Sequence, residues 1–408
     1  MAPSEALGGR IATVRSELWA DGRGPILLTI SVGWLVTLGV RIVYPALLPG
    51  IMSEFGVGYT GGGVLLSTMW VSYALVQFPG GIAADWVGEQ RVILGSVAGS
   101  LAATLAIVFA PTYGVFVAAT VLLGLGAGFY GTSRVTIVTD VFPDHKTTAV
   151  SFTQASGNVG NAVLPVVAGL FAVAFGWRVG FGYLVPIFLL VIAGVLLYVP
   201  TRTSAEPDVK AGLNRAFLAE LRKAVLNRNV ILMTLLLLVL MAYYQGMTGF
   251  LPTYLIDVKG LSQPLASAVY GAFFVTAILL QFVSGIVSDR YGQRRTIALF
   301  VLIGLPAAVA LPVVDSRTAV IPLTLATSGV LAAIPPAHTY AVDLVPDALQ
   351  GSGYGMVRTL YIGAAAGAPP IVGRLADGGR FDLAIASLGA VTLVAVLLCV
   401  ALPETASE

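Results

Sequence analysis

Residues 285–295 read GIVSDRYGQRR and stand between two long apolar runs. The stretch carries one carboxylate and three arginines, and its skeleton is Gly-x-x-x-Asp-x-x-Gly-x-x-Arg. The same skeleton occurs earlier, in GIAADWVGEQR at residues 81–91. A hydrophilic loop used twice at one spacing indicates that the chain contains a duplication. The loop residues that stand out as functional candidates are Gly81, Asp85, Gly88 and Arg91 in the first copy, and Gly285, Asp289, Arg290, Gly292, Arg294 and Arg295 in the second.

The composition is typical of a membrane protein. Of its 408 residues 57% are hydrophobic and 10% are charged, and the mean hydropathy is +0.91. A soluble domain carries roughly 25% charged residues. The net charge of +2 is too small to indicate a nucleic-acid partner. The single cysteine, Cys399, excludes a disulfide framework and reads as a small buried apolar side chain.

Twelve apolar runs are long enough to cross a membrane as helices. A polar stretch after the sixth run divides the chain into a tail (1–24), a first half (25–199), a cytoplasmic linker (200–228), a second half (229–402) and a C-terminal tail (403–408). The tail before the first run is expected to be either a short helix on the membrane surface or disordered. The predicted spans are 26–49, 60–83, 92–110, 114–139, 149–174, 179–199, 229–251, 264–286, 296–314, 318–341, 352–373 and 382–402.

Lysine and arginine are concentrated in the N-terminal tail, in the linker and in the loops on the same side. Basic residues favour the cytoplasmic side of a membrane. The sequence therefore predicts a multi-pass protein of the plasma or inner membrane with both termini in the cytoplasm.

The repeat extends beyond the two loops. Two halves of like orientation are typical of secondary transporters, whose site lies between the halves near the middle of the membrane. The matching positions are Leu48-Pro49 and Leu251-Pro252, Gln77-Phe78 and Gln281-Phe282, Asp140 with Pro143 and Asp343 with Pro346, and Gly160, Pro165, Gly169 and Gly363, Pro369, Gly373.

With these spans, the duplicated halves, the long central loop and the paired loop motif, the chain resembles the major facilitator superfamily. The resemblance implies an all-α membrane protein of twelve transmembrane helices. They form two six-helix bundles, related by pseudo-two-fold symmetry, that rock between two states. Helices 1, 4, 7 and 10 are then expected to line a central cavity. It also implies a monomer with a small-molecule substrate, with or without a coupling proton or cation, and without a cofactor or metal.

In this family the loop motif latches the two bundles together in one state. The first copy departs from the family pattern, because Trp86, Glu89 and Gln90 stand where basic residues are usual. The second copy is therefore expected to be the stronger latch. The alternative is that both loops only anchor the topology. In span 5, the run from Gly157 to Gly169 resembles the glycine-proline motif of family antiporters and predicts close helix contact.

Ionisable residues inside spans are costly in hydrocarbon and usually face a cavity. Arg41 precedes Pro49 with the Arg-x7-Pro spacing that resembles the anion:cation symporter and organophosphate:phosphate antiporter branch. There this arginine binds the anionic group of the substrate. A guanidinium suits that role because it stays charged and forks onto carboxylate oxygens. The alternative is an arginine that only packs or snorkels.

Phosphate exchangers of the branch carry a second arginine on span 7, where this chain has Tyr244. Its absence favours a singly charged carboxylate or a smaller anion. Tyr243, Tyr244 and Gln245 are then candidate hydrogen-bonding partners of the substrate. Tyr44 and Tyr130 are further candidates.

Three other ionisable residues lie within spans. Arg134 is expected either to line the cavity as a second anion ligand or to pair with Asp140. Arg358 in span 11 resembles the basic residue of oxalate:formate exchangers, although theirs is a lysine. His338 is a group that could titrate near neutral pH, or a structural histidine. No span places a carboxylate deep in the membrane.

The sequence thus predicts a secondary transporter for a small organic anion, a carboxylate in the first instance. Its alternatives are a drug or metabolite efflux antiporter, a nitrate or nitrite porter, and a transporter-like sensor that binds without transport. An enzyme is not expected, because the sequence has no metal-ligand cluster, no paired nucleophile and base, and no phosphate-binding loop. Substrate identity, direction and coupling stay open.

Overall fold

The computed structural model describes residues 18–19, 22–77, 79–80, 87–201, 215–346 and 350–404, without the side chains of 215–218, 221 and 350–352. Most of the predicted surface helix in the N-terminal tail lies outside these residues, as do Gly81 and Asp85 of the first loop.

The described chain is helical and follows the predicted spans. Ten of its helices are long and apolar enough to cross a membrane. A further helix, Arg215–Val225, lies in the predicted linker. The twelve spans are α1 (Arg23–Phe55), α2 (Tyr59–Leu75), α3 (Glu89–Val108), α4 (Tyr113–Val141), α5 (Lys146–Phe175), α6 (Val179–Gly182 and Leu184–Tyr198), α7 (Arg228–Asp257), α8 (Gln263–Tyr291), α9 (Gln293–Ala310, then Leu311–Val313), α10 (Arg317–Thr327, Ser328–Ala333 and Ile334–Asp343), α11 (Gln350–Ala365 and Ala368–Asp377) and α12 (Phe381–Ala401).

Two of the spans that consist of more than one segment, α10 and α11, carry a proline pair at a break. The last part of α10 begins with Pro335 and Pro336 in its first turn, and the second part of α11 begins with Pro369 and Pro370. Proline has no N–H to donate within a helix but is tolerated in the first turn. Each proline pair therefore starts a new helical segment.

The fold is that of two six-helix bundles, α1–α6 and α7–α12. Large apolar side chains remain exposed on the outer faces, such as Leu190 at 70%, Leu197 at 73% and Val400 at 75%. In water such faces would drive aggregation, whereas in a bilayer they are the surface that lipid covers. Because twelve crossings return the chain to its starting side, the start of α1 and the end of α12 lie on one side. We call this the terminal side and the other the distal side.

Glycines bring helices of the two bundles into contact in the distal half. A Cβ on Gly63 of α2 would lie 2.5 Å from the carbonyl oxygen of Pro369, and one on Gly373 of α11 would clash with that of Tyr59. A Cβ on Gly271 of α8 would lie 2.7 Å from the carbonyl oxygen of Ala162 in α5. Only glycine permits backbones to approach this closely. The pairs α2–α11 and α5–α8 thus close the distal half.

The glycine-rich run of α5 also packs against α1. A Cβ on Gly160 would overlap the carbonyl oxygen of Leu35, and one on Gly157 would overlap Trp34. Close contact through this run agrees with the sequence prediction. It holds α5 against the helix that carries Arg41.

A carboxylate of the second bundle caps a helix of the first. Asp377, the last residue of α11, accepts hydrogen bonds of 2.8 Å from the backbone N–H groups of Tyr59 and Thr60 at the start of α2. The N-cap residue of α2 is Gly58, which has no side chain to supply this cap. Tyr59 also donates its hydroxyl to Asp257 of α7 at 2.9 Å. These contacts link the bundles at the distal rim.

Candidate substrate-binding site

A cavity of about 410 Å³ lies between the two bundles. Ligand pockets of small molecules usually measure about 300–1,000 Å³. The cavity extends from the middle of the helices toward the terminal side. It is lined by α1, α4, α7 and α10, as the family resemblance implies, and also by α2, α5, α8 and α11. The polar and aromatic lining residues are Trp34, Arg41, Trp70, Tyr73, Arg134, Gln154, Asn158, Asn161, Tyr244, Phe274, Gln281, His338, Tyr354, Arg358 and Tyr361.

Arg41 lies at the middle of α1 and faces the cavity while only 3% exposed. Its guanidinium carbon lies 4.3 Å from the ring centroid of Tyr73 and 5.1 Å from that of Trp70. A cation over an aromatic face is stabilised by the ring quadrupole. The two rings of α2 therefore hold the guanidinium in place without neutralising its charge.

Arg134 of α4 lines the same cavity and is 5% exposed. It donates to the Thr153 hydroxyl at 2.7 Å and to Oε1 of Gln154 at 3.4 Å, both on α5. Its guanidinium carbon lies 4.3 Å from the ring centroid of Trp34. These partners are neutral, so Arg134 is not engaged with Asp140, which was the alternative at the sequence level.

Arg358 and His338 enter the cavity from the second bundle. Arg358 of α11 lines it together with Tyr73, Tyr354 and Tyr361. Nε2 of His338 lies 3.2 Å from the Tyr361 hydroxyl, and either group can be the donor. The histidine thus lines the cavity and also has a hydrogen-bond partner in the protein.

The positive charge of the cavity has no counter-charge among the lining residues that the structure describes, because none of them is aspartate or glutamate. The Nε atoms of Arg41, Arg134 and Arg358 are buried and have no hydrogen-bond partner within those residues. Arginine stays charged in proteins. The cavity is therefore lined by three guanidinium groups whose charge no described lining residue neutralises.

Of the consecutive residues Tyr243, Tyr244 and Gln245, only Tyr244 lines the cavity. The Tyr243 hydroxyl donates to the carbonyl oxygen of Thr327 at 2.9 Å, and Nε2 of Gln245 donates to that of Ile362 at 3.2 Å. Successive residues of a helix point about 100° apart, so three in a row cannot share one cavity. Tyr243 and Gln245, which the sequence analysis predicts as substrate contacts, therefore lie outside the cavity in this conformation.

Tyr44 and Tyr130 also lie outside the cavity lining. The Tyr44 hydroxyl is 3.0 Å from the Thr120 hydroxyl, inside the first bundle. The Tyr130 hydroxyl donates to the carbonyl oxygen of Ile30 at 2.9 Å, and its ring stacks on Trp34 at 6.2 Å. Both tyrosines are core residues, and Tyr130 supports a wall residue of the cavity rather than forming the wall.

Sequence reasoning missed the aromatic and amide wall. Gln154, Asn158 and Asn161 of α5 line the cavity, as do Tyr354 and Tyr361 on either side of Arg358. Each set is spaced by four and three residues, which is one face of a helix. Polar side chains at that spacing in an apolar span were the signal that could have identified them.

The two motif loops contain the tight turns that their glycines indicate. Gly88 has φ of 91° and Gly292 has φ of 86°, a region that other residues rarely adopt. Arg294 donates to the carbonyl oxygen of Leu402 at 2.7 Å, and Arg295 lies 2.9 Å from Glu404. These partners belong to the same bundle as the arginines.

The remaining loop candidates lie at the terminal side. Gly285, Asp289 and Gly292 border a second cavity between α8, α10 and Glu404. Asp289 has no ion-pair or hydrogen-bond partner in the described part of the chain. Arg290 lies over the ring of Tyr291 at 5.4 Å, and Arg91 is exposed. No described contact joins the two loops in this conformation, so their latch role stays a prediction.

The profile of the Major Facilitator Superfamily matches residues 29–368. The chain belongs to the major facilitator superfamily. It is 25% identical over 369 residues to a cis,cis-muconate transport protein of Acinetobacter baylyi, covering 87% of each chain. It is 23% identical over 293 residues to a hexuronate transporter of Bacillus subtilis, covering 68% of this chain and 67% of the relative.

The fold is shared with solved transporters. The crystal structure of a D-xylose-proton symporter superposes with a TM-score of 0.77 at 15% identity, over 94% of this chain and 99% of the other. Family, fold and relatives agree on a multi-pass membrane protein of the secondary-transporter type.

Proposed function

We propose that the protein transports a small organic anion, in the first instance a carboxylate, by alternating access, with Arg41 and Arg134 as the anion ligands. The observation that carries this proposal is the uncompensated positive charge of the cavity. Two guanidinium groups less than a tenth exposed, without an acid beside them, favour an anion and disfavour a cationic drug.

The names of two relatives support the same chemistry. A muconate transport protein and a hexuronate transporter both handle carboxylates, and each aligns with two thirds or more of this chain. A planar carboxylate matches the fork of a guanidinium, which can donate two parallel hydrogen bonds to it. The aromatic rings beneath Arg41 leave the edge of its guanidinium available for such a fork. Arg134 already donates to Thr153 and Gln154, and it adds its positive charge to the same cavity.

The positive charge of the cavity also makes closure of the terminal side depend on a bound anion. Closing the terminal side around an empty cavity would bury like charges in a region of low dielectric, which is costly. A bound anion lowers that cost. With both termini in the cytoplasm, as the distribution of basic residues predicts, the conformation described here opens toward the cytoplasm.

The test is uptake of labelled carboxylates by proteoliposomes, with benzoate, glucuronate, succinate, phosphate and nitrate as competitors. Arg41→Gln is expected to lower uptake at least tenfold, because it removes a charge-assisted contact worth about 1.5–3 kcal/mol. Arg41→Lys is expected to retain part of the activity. Arg228→Gln is the matched control, since Arg228 is exposed at the start of α7.

Thermal unfolding of each variant shows that the fold is retained. Uptake by Arg41→Gln equal to that of the unmodified chain would contradict the assignment of the site. Competition by nitrate or phosphate, but by none of the carboxylates, would contradict the substrate class.

A further inference from the structure

We propose that the cavity selects dicarboxylates and binds one carboxylate in each bundle. Arg41 and Arg134 of the first bundle hold one end of the substrate, and Arg358 of the second bundle holds the other. This inference rests on the proposed transport of a carboxylate and adds the number and the placement of its charges.

The missing arginine of α7 points to a singly charged substrate as long as only the sequence is considered. The cavity shows that the second bundle supplies its cation from another helix. Arg358 enters from α11, and Tyr244 occupies the position on α7. A positive group is therefore present on both sides of the interface between the bundles.

Tyr73 of α2 lines the cavity together with the three arginines. It is 3% exposed, and its ring centroid lies 4.3 Å from the guanidinium carbon of Arg41. Arg134 and Arg358 line this cavity from different bundles and carry like charges. Because the three arginines line one cavity, a single molecule can reach all of them.

Charge balance favours two carboxylates over one. Each of the three arginines keeps a buried Nε without a partner in the described residues, and no described lining residue is acidic. A monoanion would leave two cations uncompensated, whereas a dianion leaves one. Because uncompensated charge in a membrane interior is costly, the dianion is bound more tightly and lowers the cost of closure more.

The space between the arginines suits an apolar or unsaturated spacer. Trp34, Trp70, Tyr73 and Tyr244 contribute flat faces to the wall between the two bundles. Trp70 meets Tyr244 edge to face at 5.9 Å, so the aromatic surface continues from one bundle to the other. Short linear or aromatic diacids would place a carboxylate at each end of this surface.

The experiment compares diacids with their own half-esters on the purified full-length chain. Kd values are measured by calorimetry for fumarate, adipate and terephthalate, and for the monomethyl ester of each. The half-ester keeps the skeleton and loses one charge. Each diacid that fits is expected to bind roughly tenfold to a hundredfold more tightly than its half-ester, which is the range of one charge-assisted contact.

Arg358→Gln is expected to weaken the diacid to the level of the half-ester and to leave the half-ester unchanged. Arg358→Lys is expected to keep a reduced preference for the diacid. The comparison of diacid and half-ester on the unmodified chain needs no variant. It therefore tests the preference for two carboxylates even if Arg358→Gln does not fold.

A half-ester that binds as tightly as its diacid would overturn the bridging arrangement and leave carboxylate transport standing. An equal loss of diacid and half-ester binding in a folded Arg358→Gln would overturn the placement of the second carboxylate. Failure of every diacid and every half-ester to bind would overturn both the inference and the proposed function.

Discussion

Tyr243 and Tyr244 are neighbours in the sequence with different surroundings. The Tyr243 hydroxyl is bonded to the carbonyl oxygen of Thr327 in the core, and Tyr244 lines the cavity. Tyr243→Phe removes a buried hydrogen bond and is expected to lower the free energy of unfolding by about 1 kcal/mol, with carboxylate affinity unchanged. Tyr244→Phe is expected to weaken carboxylate binding and to leave the melting temperature without ligand unchanged.

Each tyrosine serves as the control for the other, since both variants remove one hydroxyl from α7. Thermal unfolding with and without a bound carboxylate, together with Kd from calorimetry, separates the two effects. Weakened binding in Tyr243→Phe with unchanged binding in Tyr244→Phe would contradict the orientation of α7.

At the scale of residues, the sequence identifies charged residues inside spans better than it predicts which side chains face the cavity. Arg41, Arg134 and Arg358 could be found because a cation in an apolar span must find a polar environment. Tyr44 and Tyr130 could not be assigned in the same way, because a tyrosine whose hydroxyl finds a hydrogen-bond partner can lie either in a core or in a cavity wall. Which ring faces the cavity depends on helix rotation, and that is set by packing between helices.

Among elements, the contact between α2 and α11 decides how firmly the distal side is closed. Asp377 caps the first turn of α2, which is a favourable place for a carboxylate because of the free N–H groups and the helix dipole. Asp377→Ala is expected to weaken the closed state by about 1 kcal/mol, or roughly fivefold in population. The measurement is a spin-label distance between Pro111→Cys and Ser262→Cys in a Cys399→Ser background.

Pro111 and Ser262 are exposed distal residues of different bundles, so the distance between their labels reports opening. The matched control is Asp315→Asn, since Asp315 is 99% exposed and lies 3.8 Å from Lys259 within one bundle. Lys259 is buried and donates to the carbonyl oxygen of Pro312 at 2.8 Å, so it keeps a partner when the Asp315 charge is removed. A wider label distance in Asp315→Asn, or an unchanged label distance in Asp377→Ala, would contradict a capping role for Asp377.

The same contact predicts a pH dependence. Burial acts to raise the pKa of the Asp377 carboxyl, but the hydrogen bonds from Thr60 and Tyr59 outweigh it and hold this pKa below its ordinary value of 3.8. The carboxylate thus favours closure above pH 3.8 and loses this effect as the pH falls through the lowered pKa. We expect an unchanged label distance from pH 8 to pH 5, and a midpoint near pH 6 would exclude Asp377 as the cause.

Helix limits were predictable because the length of an apolar run is fixed by the thickness of the bilayer. Breaks inside α10 and α11 were not, although their proline pairs are visible in the sequence. Proline is ordinary in membrane helices, since neighbouring helices can satisfy the carbonyl groups that it frees. Whether a proline bends a span or starts a new segment therefore depends on its neighbours.

For the whole molecule, the two repeated loops make the same kind of hydrogen bond with different residues. Gln90 donates to the carbonyl oxygen of Val199 at the end of α6, and Arg294 donates to that of Leu402 at the end of α12, each at 2.7 Å. Both side chains satisfy a free carbonyl at a helix C-terminus. The loss of a basic residue in the first copy therefore leaves this bond within the bundle intact, and any asymmetry of the loops must arise elsewhere.

A difference between the two loops in closing the terminal side can arise from Asp289. Its carboxylate has no described partner while the distal side is closed, so Asp289→Asn is expected to preserve the melting temperature and the carboxylate affinity. The charge becomes useful only when the terminal side closes and brings a helix end or a basic residue to it. We therefore expect Asp289→Asn to slow counterflow severalfold and Asp85→Asn to slow it less.

Proteoliposome counterflow compares the two variants with Asp144→Asn, an exposed aspartate at the terminal side that is expected to behave as the unmodified chain does. A reduced melting temperature in Asp289→Asn would show that the carboxylate already stabilises the conformation described here. An equal or larger effect of Asp85→Asn would show that the first loop, despite its missing basic residues, holds the terminal side closed. The first copy would then contribute to closure although Glu89 and Gln90 stand where basic residues are usual.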